Sequence, residues 1–203
     1  MNENDVIQVF EDDGVIMRGH FLLTSGRHSS TFLQCSMVMQ HPAHLSRLCA
    51  ALAAKMKGLS PQCVAGPAMG GVILAYEMAR ALGARAIYAE KSAAEETGAG
   101  LAFRRGFGLS RGERCLVVED AVTTGGSVRK LMELIRAAGA EVVGVAALVD
   151  RSGGRVVFGV PFASLLKLDV PSFEPGDCPL CRAGVPVERP KSAQGTPGNS
   201  PAN

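Results

Sequence analysis

The sequence predicts an α/β protein built on a parallel twisted sheet flanked by helices. Three observations carry this. Short, continuously apolar runs at 63–65, 86–89, 116–118 and 142–149 have the length and content of strands buried on both faces. The stretches 42–56, 72–82 and 128–138 place apolar residues three and four apart, the period of a helix with one buried stripe. The two kinds alternate, and strands that alternate with helices of this length are joined by crossovers into a parallel sheet.

Taken in order, 6–17 reads as a weak helix and 22–34 as an irregular stretch rich in Ser, Thr and Gly. The helix at 42–56 shows Leu45, Leu48, Cys49 and Leu52 on one side. A short strand at 63–65 runs into G-P-A-M-G-G, and the helix at 72–82 ends at Gly83. The strand at 86–89 leads into a polar, small-residue segment at 90–100 that is expected to be mobile. The strand at 116–118 and the helix at 128–138, closed by Gly139, precede the long apolar strand at 142–149. The expectation is a single domain over 1–188, followed by a disordered tail at 189–203 that lacks apolar periodicity.

Bulk properties narrow the function. A net charge of +2, from 21 basic and 19 acidic residues, leaves no basic footprint for nucleic acid. No stretch approaches the roughly 18 apolar residues of a membrane span, and the start M-N-E-N-D is unlike a signal peptide. A cytoplasmic protein is therefore expected, with its six cysteines reduced. Cys35, Cys49, Cys63 and Cys115 sit among apolar neighbours and read as small core residues. Cys178-Pro-Leu-Cys181 has the spacing of half a zinc knuckle. No second pair of ligands is visible in the sequence, so it reads as a reduced surface turn, with a metal shared across a dimer as the alternative.

The most informative stretch is C-L-V-V-E-D-A-V-T-T-G-G at 115–126. An apolar strand runs into two carboxylates, two hydroxyls, two glycines and then a helix. Such a turn aims several backbone N–H groups at one spot, where the helix start adds partial positive charge, and a phosphate monoester suits that spot. Glu119 and Asp120 suit hydroxyls or a metal beside it. A phosphorylated sugar offers both groups. The loops after the other strands, at 66–71, 90–100 and 150–154, would gather around the same end of the sheet.

The run V-V-E-D-A-V-T-T-G-G-S at 117–127 resembles the phosphoribosyl-diphosphate motif of the type I phosphoribosyltransferases. Three further segments are similar to the orotate-specific branch: G-H-F-L-L-T-S-G-R-H-S at 19–29 with Phe32 and Gln34, F-R-R-G-F at 103–107, and Asp150-Arg151. The terminal C-P-L-C is similar to a bacterial and archaeal subgroup often named for Thermus.

The resemblance implies the type I fold, with a small hood over the base site formed from about 14–40 and a C-terminal segment at 160–188. It implies transfer of the 5-phosphoribosyl group from phosphoribosyl diphosphate to orotate, with Mg²⁺ as cofactor and a homodimer as the assembly. By resemblance, Glu119, Asp120, Ala121, Val122, Thr123, Thr124, Gly125, Gly126 and Ser127 bind phosphoribosyl diphosphate. Thr123, Arg151 and Phe32 would meet orotate. Lys91 and Asp120 would be catalytic, and Asp120 would orient a Mg²⁺ held mainly by substrate.

Arg27 and His28 read either as part of the hood or as solvated loop residues. The loop at 66–72 resembles the diphosphate loop, although some family members carry a lysine where Gly70 stands. The 90–100 segment matches the mobile catalytic loop by position only. It has Lys91 where an arginine is expected and no histidine, which leaves Lys91, Arg104 and Arg105 as cations for diphosphate. For the two arginines the alternative is packing, or pairing with Glu95 and Glu96. The alternatives on function are another nucleobase as acceptor, or a regulator that binds phosphoribosyl diphosphate without catalysis.

Overall fold

Strands with no polar face need helices above and below, and the sheet is built that way. The computed structural model describes residues 1–23, 25–93 and 100–190. Residues 94–99 of the loop expected to be mobile, with Glu95 and Glu96, lie outside the described residues, as does the expected tail from 191 on.

The chain forms two units. One comprises Met1–Asp13 and Cys35–Asp169, the other Gly14–Gln34 and the chain from Val170. The larger unit holds α1 (Glu3–Asp12), α2 (Ser36–Met39), α3 (Pro42–Met56), α4 (Gly70–Leu82) and α5 (Gly126–Ala137). Its strands are β3 (Cys63–Pro67), β4 (Arg85–Lys91), β5 (Leu101–Phe103), β6 (Arg114–Val122), β7 (Glu141–Asp150) and β8 (Phe162–Lys167). They line up in the order β5-β4-β3-β6-β7-β8. All neighbours are parallel except the short edge strand β5, which runs antiparallel to β4.

The two faces of the sheet alternate along each strand. Cys63, Ala65, Cys115 and Val117 pack with Val128, Leu131, Met132 and Ile135 of α5. Val64, Leu116 and Val118 are equally buried and point the other way, to the face where α4 packs. The four cysteines expected in the core are all buried there and free. Successive connections leave β3 in one direction and β6 in the other, so the order reverses between these two strands. That reversal is where open α/β sheets form a crevice beyond their carboxyl ends.

The smaller unit is a hairpin of β1 (Ile16–Leu22) and β2 (His28–Leu33), with β9 (Ser172–Phe173) added antiparallel to β2. A short helix, α6 (Pro179–Arg182), follows. The hairpin carries an irregularity between Arg18 and Phe21.

Two expectations change here. The helix expected over 6–17 starts earlier, in a capping box between Asn2 and Asp5, and stops at Asp12. Gly14 at φ +69° turns the chain into β1. The stretch 22–34 is not irregular: 28–33 is a strand. Its H-S-S-T-F-L sequence shows no apolar alternation, because its order comes from pairing with β1 and β9.

Ile135 is fully buried against the sheet in the cluster with Leu131, Val142 and Val145. Ile135→Ala is expected to lower unfolding free energy by about 2–5 kcal/mol. Urea unfolding followed by circular dichroism reads this directly, since the chain has no tryptophan. A loss below about 1 kcal/mol would place α5 outside the core.

Candidate active site

Strand β6 runs further than its apolar core, carrying Glu119 and Asp120 as strand residues and ending at Val122, which pairs with Asp150. Neighbours along β6, the two carboxylates lie close enough to act on each other. Glu119 lines a cavity of about 290 Å³ together with Ala121, Val122, Thr123, Thr124, Gly125, Gly126 and Ser127. Asp120 turns toward the start of α4: a Cβ placed on Gly70 would lie 2.8 Å from Asp120 Oδ2. The sequence reading treats Gly70 as a missing cation. In the structure its bare Cα is what leaves room for the Asp120 carboxylate.

The cradle beside Glu119 follows from one strained position. Gly125 sits at φ +76°, and a Cβ there would come within 2.8 Å of Phe158 and 3.0 Å of Val156. Only glycine suits both the dihedral and the space. The first helical bond of α5 runs from Arg129 N to Gly125 O at 2.9 Å. The amides of Gly126, Ser127 and Val128 precede it and have no acceptor within the helix. No side chain caps this end. These N–H groups are thus available to an anion, with the helix dipole behind them. Arg129 steadies the far wall: its guanidinium lies over the Phe158 ring at 5.1 Å and donates to Val157 O.

The carboxylates are electrostatically costly as they stand. Glu119 is buried, and its pKa is pushed up to about 8, first by desolvation and then by the Asp120 charge. Asp120 is raised as well, again mainly by burial, partly offset by its hydrogen bond from the Ala121 amide at 2.7 Å. Neither acid makes an ion pair among the described residues.

Arg151 follows β7 directly, and its backbone N–H donates to Val122 O at 2.7 Å, fixing the 151 turn to the end of β6. Asp150 holds that turn, accepting from Ser152 N, Ser152 Oγ and Gly154 N. Arg151 Nε is buried without a hydrogen-bond partner among the described residues, an unsatisfied donor that ordinarily costs about 1–3 kcal/mol.

Lys91, at the end of β4, is exposed. It lines a separate cavity of about 600 Å³ with Ala68, Met69, Val72, Tyr88, Glu90 and Arg105. This cavity adjoins the 66–71 loop, where Gly66 and Gly71 approach so closely that neither has room for a side chain. Arg105 is committed to Glu90, 2.6 Å away, and Arg104 Nη2 donates to Ser92 Oγ. Of the three expected cations, Lys91 makes no ion pair among the described residues. Phe32 belongs to the smaller unit, where its ring lies 5.9 Å from that of Phe21. Sequence reasoning overlooked Lys130, which also lines the anion cradle. The signal was present, since it stands four residues after Gly126 and so on the same helix face.

A family model described as the phosphoribosyl transferase domain matches residues 35–172. The chain is 50% identical over 192 residues to the orotate phosphoribosyltransferase of Caldanaerobacter subterraneus subsp. tengcongensis, covering 95% of this chain and 98% of that relative. It is 49% identical over 185 residues to that of Thermotoga maritima, covering 91% and 96%. Among solved structures, the orotate phosphoribosyltransferase from Aeropyrum pernix is similar with a TM-score of 0.62 at 28% identity, over 80% of this chain and 93% of that one. The one from Mycobacterium tuberculosis, in complex with inorganic phosphate, is similar with a TM-score of 0.61 at 26% identity, over 81% and 96%.

The raised Glu119 pKa makes a signed prediction. In the folded chain the neutral acid is favoured, while in the unfolded chain it ionises near about 4.3. Stability from this group is therefore full below that value and lost as pH rises toward the folded pKa of about 8. Glu119→Gln is expected to raise the melting temperature of the ligand-free protein more at about pH 8 than at about pH 5. Equal gains at both pH values would contradict the assignment.

Proposed function

For a chain that belongs to the phosphoribosyltransferase family, alongside the orotate phosphoribosyltransferases, we propose which groups hold each part of the two substrates. The protein transfers the 5-phosphoribosyl group from phosphoribosyl diphosphate to orotate, giving orotidine 5′-phosphate and diphosphate, a step of pyrimidine biosynthesis. The curated relatives favour orotate over another base as acceptor.

The observation that carries the assignment is the Gly125 turn, with its free amides on one side and Glu119 on the same cavity wall. In this reading the 5-phosphate lies against Thr123, Thr124, Gly125, Gly126 and Ser127, where neutral N–H and O–H donors suit a dianion. Glu119 and Asp120 accept hydrogen bonds from the vicinal ribose hydroxyls. This favours their ionised forms and offsets the desolvation that raises both pKa values. Ala121 and Val122 set the spacing between acids and cradle. Lys91, beside the 66–71 loop, neutralises charge on the departing diphosphate. Thr123 and Arg151 hold orotate, a planar anion that a guanidinium can grip in a fork. The buried, unpartnered Arg151 Nε supports this placement.

A buried carboxylate beside a half-buried one, with no ion pair among the described residues, suits a hard divalent ion. Mg²⁺ would sit near Asp120, held chiefly by substrate oxygens, and would offset diphosphate charge. Everything else is alignment: bringing two bound substrates into register can supply up to about 7–11 kcal/mol. A homodimer is part of the proposal, and the exposed row Met69, Ile73 and Tyr76 along the start of α4 supports it. No helix among the described residues is long and apolar enough to cross a membrane, which is compatible with the cytoplasmic location we propose.

Arg151→Ala tests the base assignment. A lost charged hydrogen bond costs about 1.5–3 kcal/mol, so KM for orotate should rise about 10- to 100-fold while KM for phosphoribosyl diphosphate stays within about threefold. Steady-state assays following loss of orotate absorbance measure both. An equal rise in both constants would remove Arg151 from the base pocket.

A further inference from the structure

The smaller unit places four metal-ligating side chains at one point. His20, His28, Cys178 and Cys181 each offer a ligand atom, and all four atoms lie within 4.8 Å of one another. Leu22 is paired with His28 across the hairpin. His20 Nε2 lies 2.9 Å from His28 Nδ1, so the two rings meet on one side of the hairpin. Cys178 precedes α6 as its N-cap and Cys181 lies within it, and both sulfurs approach the histidines. His20, His28 and Cys178 are buried, and Cys181 closes the cluster on the outside.

Hydrogen bonding alone does not account for this convergence. His20 Nδ1 is 2.7 Å from Val185 O. A carbonyl can only accept, so Nδ1 carries a proton, and in the neutral ring Nε2 then has a bare lone pair. Three groups crowd that single lone pair: His28 Nδ1 at 2.9 Å, Cys178 Sγ at 3.4 Å and Cys181 Sγ at 3.7 Å. One in-plane lone pair cannot accept three hydrogen bonds. His28 Nδ1 is in turn 3.2 Å from Cys181 Sγ. These separations resemble the edges of a tetrahedron around zinc. Bonds of about 2.0–2.1 Å to nitrogen and 2.3 Å to sulfur imply edges of about 3.3 Å between nitrogens and about 3.5 Å between nitrogen and sulfur.

We propose that His20, His28, Cys178 and Cys181 form a structural Zn²⁺ site. Two thiolates and two imidazoles in a tetrahedral set select zinc over hard ions such as Mg²⁺. Four protein ligands leave no open position, so the site supplies folding energy rather than chemistry. The Val185 carbonyl acts as the outer partner that fixes the His20 tautomer. The unit has reason to need such a staple. It consists of two short chain segments with little sheet, and units near about 40 residues usually rely on disulfides or metals. The ion ties the hairpin bearing both histidines to the segment bearing both cysteines, from opposite ends of the sequence.

The full-length chain, purified without chelator and dialysed, should carry about one zinc per chain by elemental analysis. Replacing zinc with Co²⁺ should give visible d–d bands and thiolate-to-cobalt charge transfer. Cys178→Ser and His20→Asn should each lose the stoichiometric zinc, whereas Cys49→Ala should retain it. Should the variants fail to fold, the cobalt spectrum of the unaltered chain still decides. The proposal is overturned if the unaltered chain holds far less than one zinc, or if its cobalt form lacks the charge-transfer band. It is equally overturned if chelator leaves its melting temperature unchanged, or if mass analysis shows Cys178 and Cys181 joined as a disulfide.

Discussion

Two carboxylates forced together at the buried end of a strand set the terms for the rest of the larger unit. Glu119 and Asp120 follow Val117 and Val118 without a break, so the strand pairing that buries the core also carries the acids into a poorly solvated place. Desolvation raises both pKa values, and the Asp120 charge adds to the rise at Glu119. The neighbouring elements accommodate that pair. Gly70 has no side chain where Asp120 needs room. Gly125 adopts a left-handed turn that exposes amides beside Glu119. The two acids are electrostatically unsatisfied on their own, and in the proposed assignment a ligand with both a phosphate and a diol satisfies them.

The sheet order explains why this tension sits where it does. The chain leaves β3 and β6 in opposite directions, and the loops that follow them, 68–69 and 123–125, border the crevice expected at such a reversal. Arg151 enters from the next strand through its bond to Val122 O. Lys91 comes from β4 on the other side. In the proposed assignment no single element carries the site; its residues come from the ends of four parallel strands, each anchored by ladder bonds to its neighbour. Phe158 and Val156, seemingly remote, hold the cradle in shape by filling the space beneath Gly125.

Much of this was legible in the sequence, for identifiable reasons. Strands β6 and β7 are buried on both faces, so their apolar runs stand out, and α5 shows its stripe through Leu131 and Ile135. The E-D-A-V-T-T-G-G run announces its chemistry because few other uses require those residues in that order. What escaped depends on partners distant in sequence. Strand β2 shows no alternation of its own and exists through its neighbours. Arg105 reads either as a cation for diphosphate or as a residue that packs or pairs with Glu95 and Glu96, and the acid it meets is Glu90. Cys178 and Cys181 look like an isolated pair because the matching histidines stand over 150 positions earlier, inside a segment whose other features point to base recognition. His28 read as a hood or solvated loop residue, yet it is buried.

The central claim is that burial favours the protonated form of Glu119 in the ligand-free protein and that a ribose diol shifts it to the ionised form. Calorimetric titration of phosphoribosyl diphosphate with Mg²⁺ at about pH 8, near the raised Glu119 pKa, in two buffers of different ionisation enthalpy, tests this, because the phosphate monoester, with a second pKa near about 6, contributes few protons there. The account predicts a net release of protons on binding that disappears in Glu119→Gln. Binding heats that are the same in both buffers for the unaltered protein, or no binding heat in either, would contradict it.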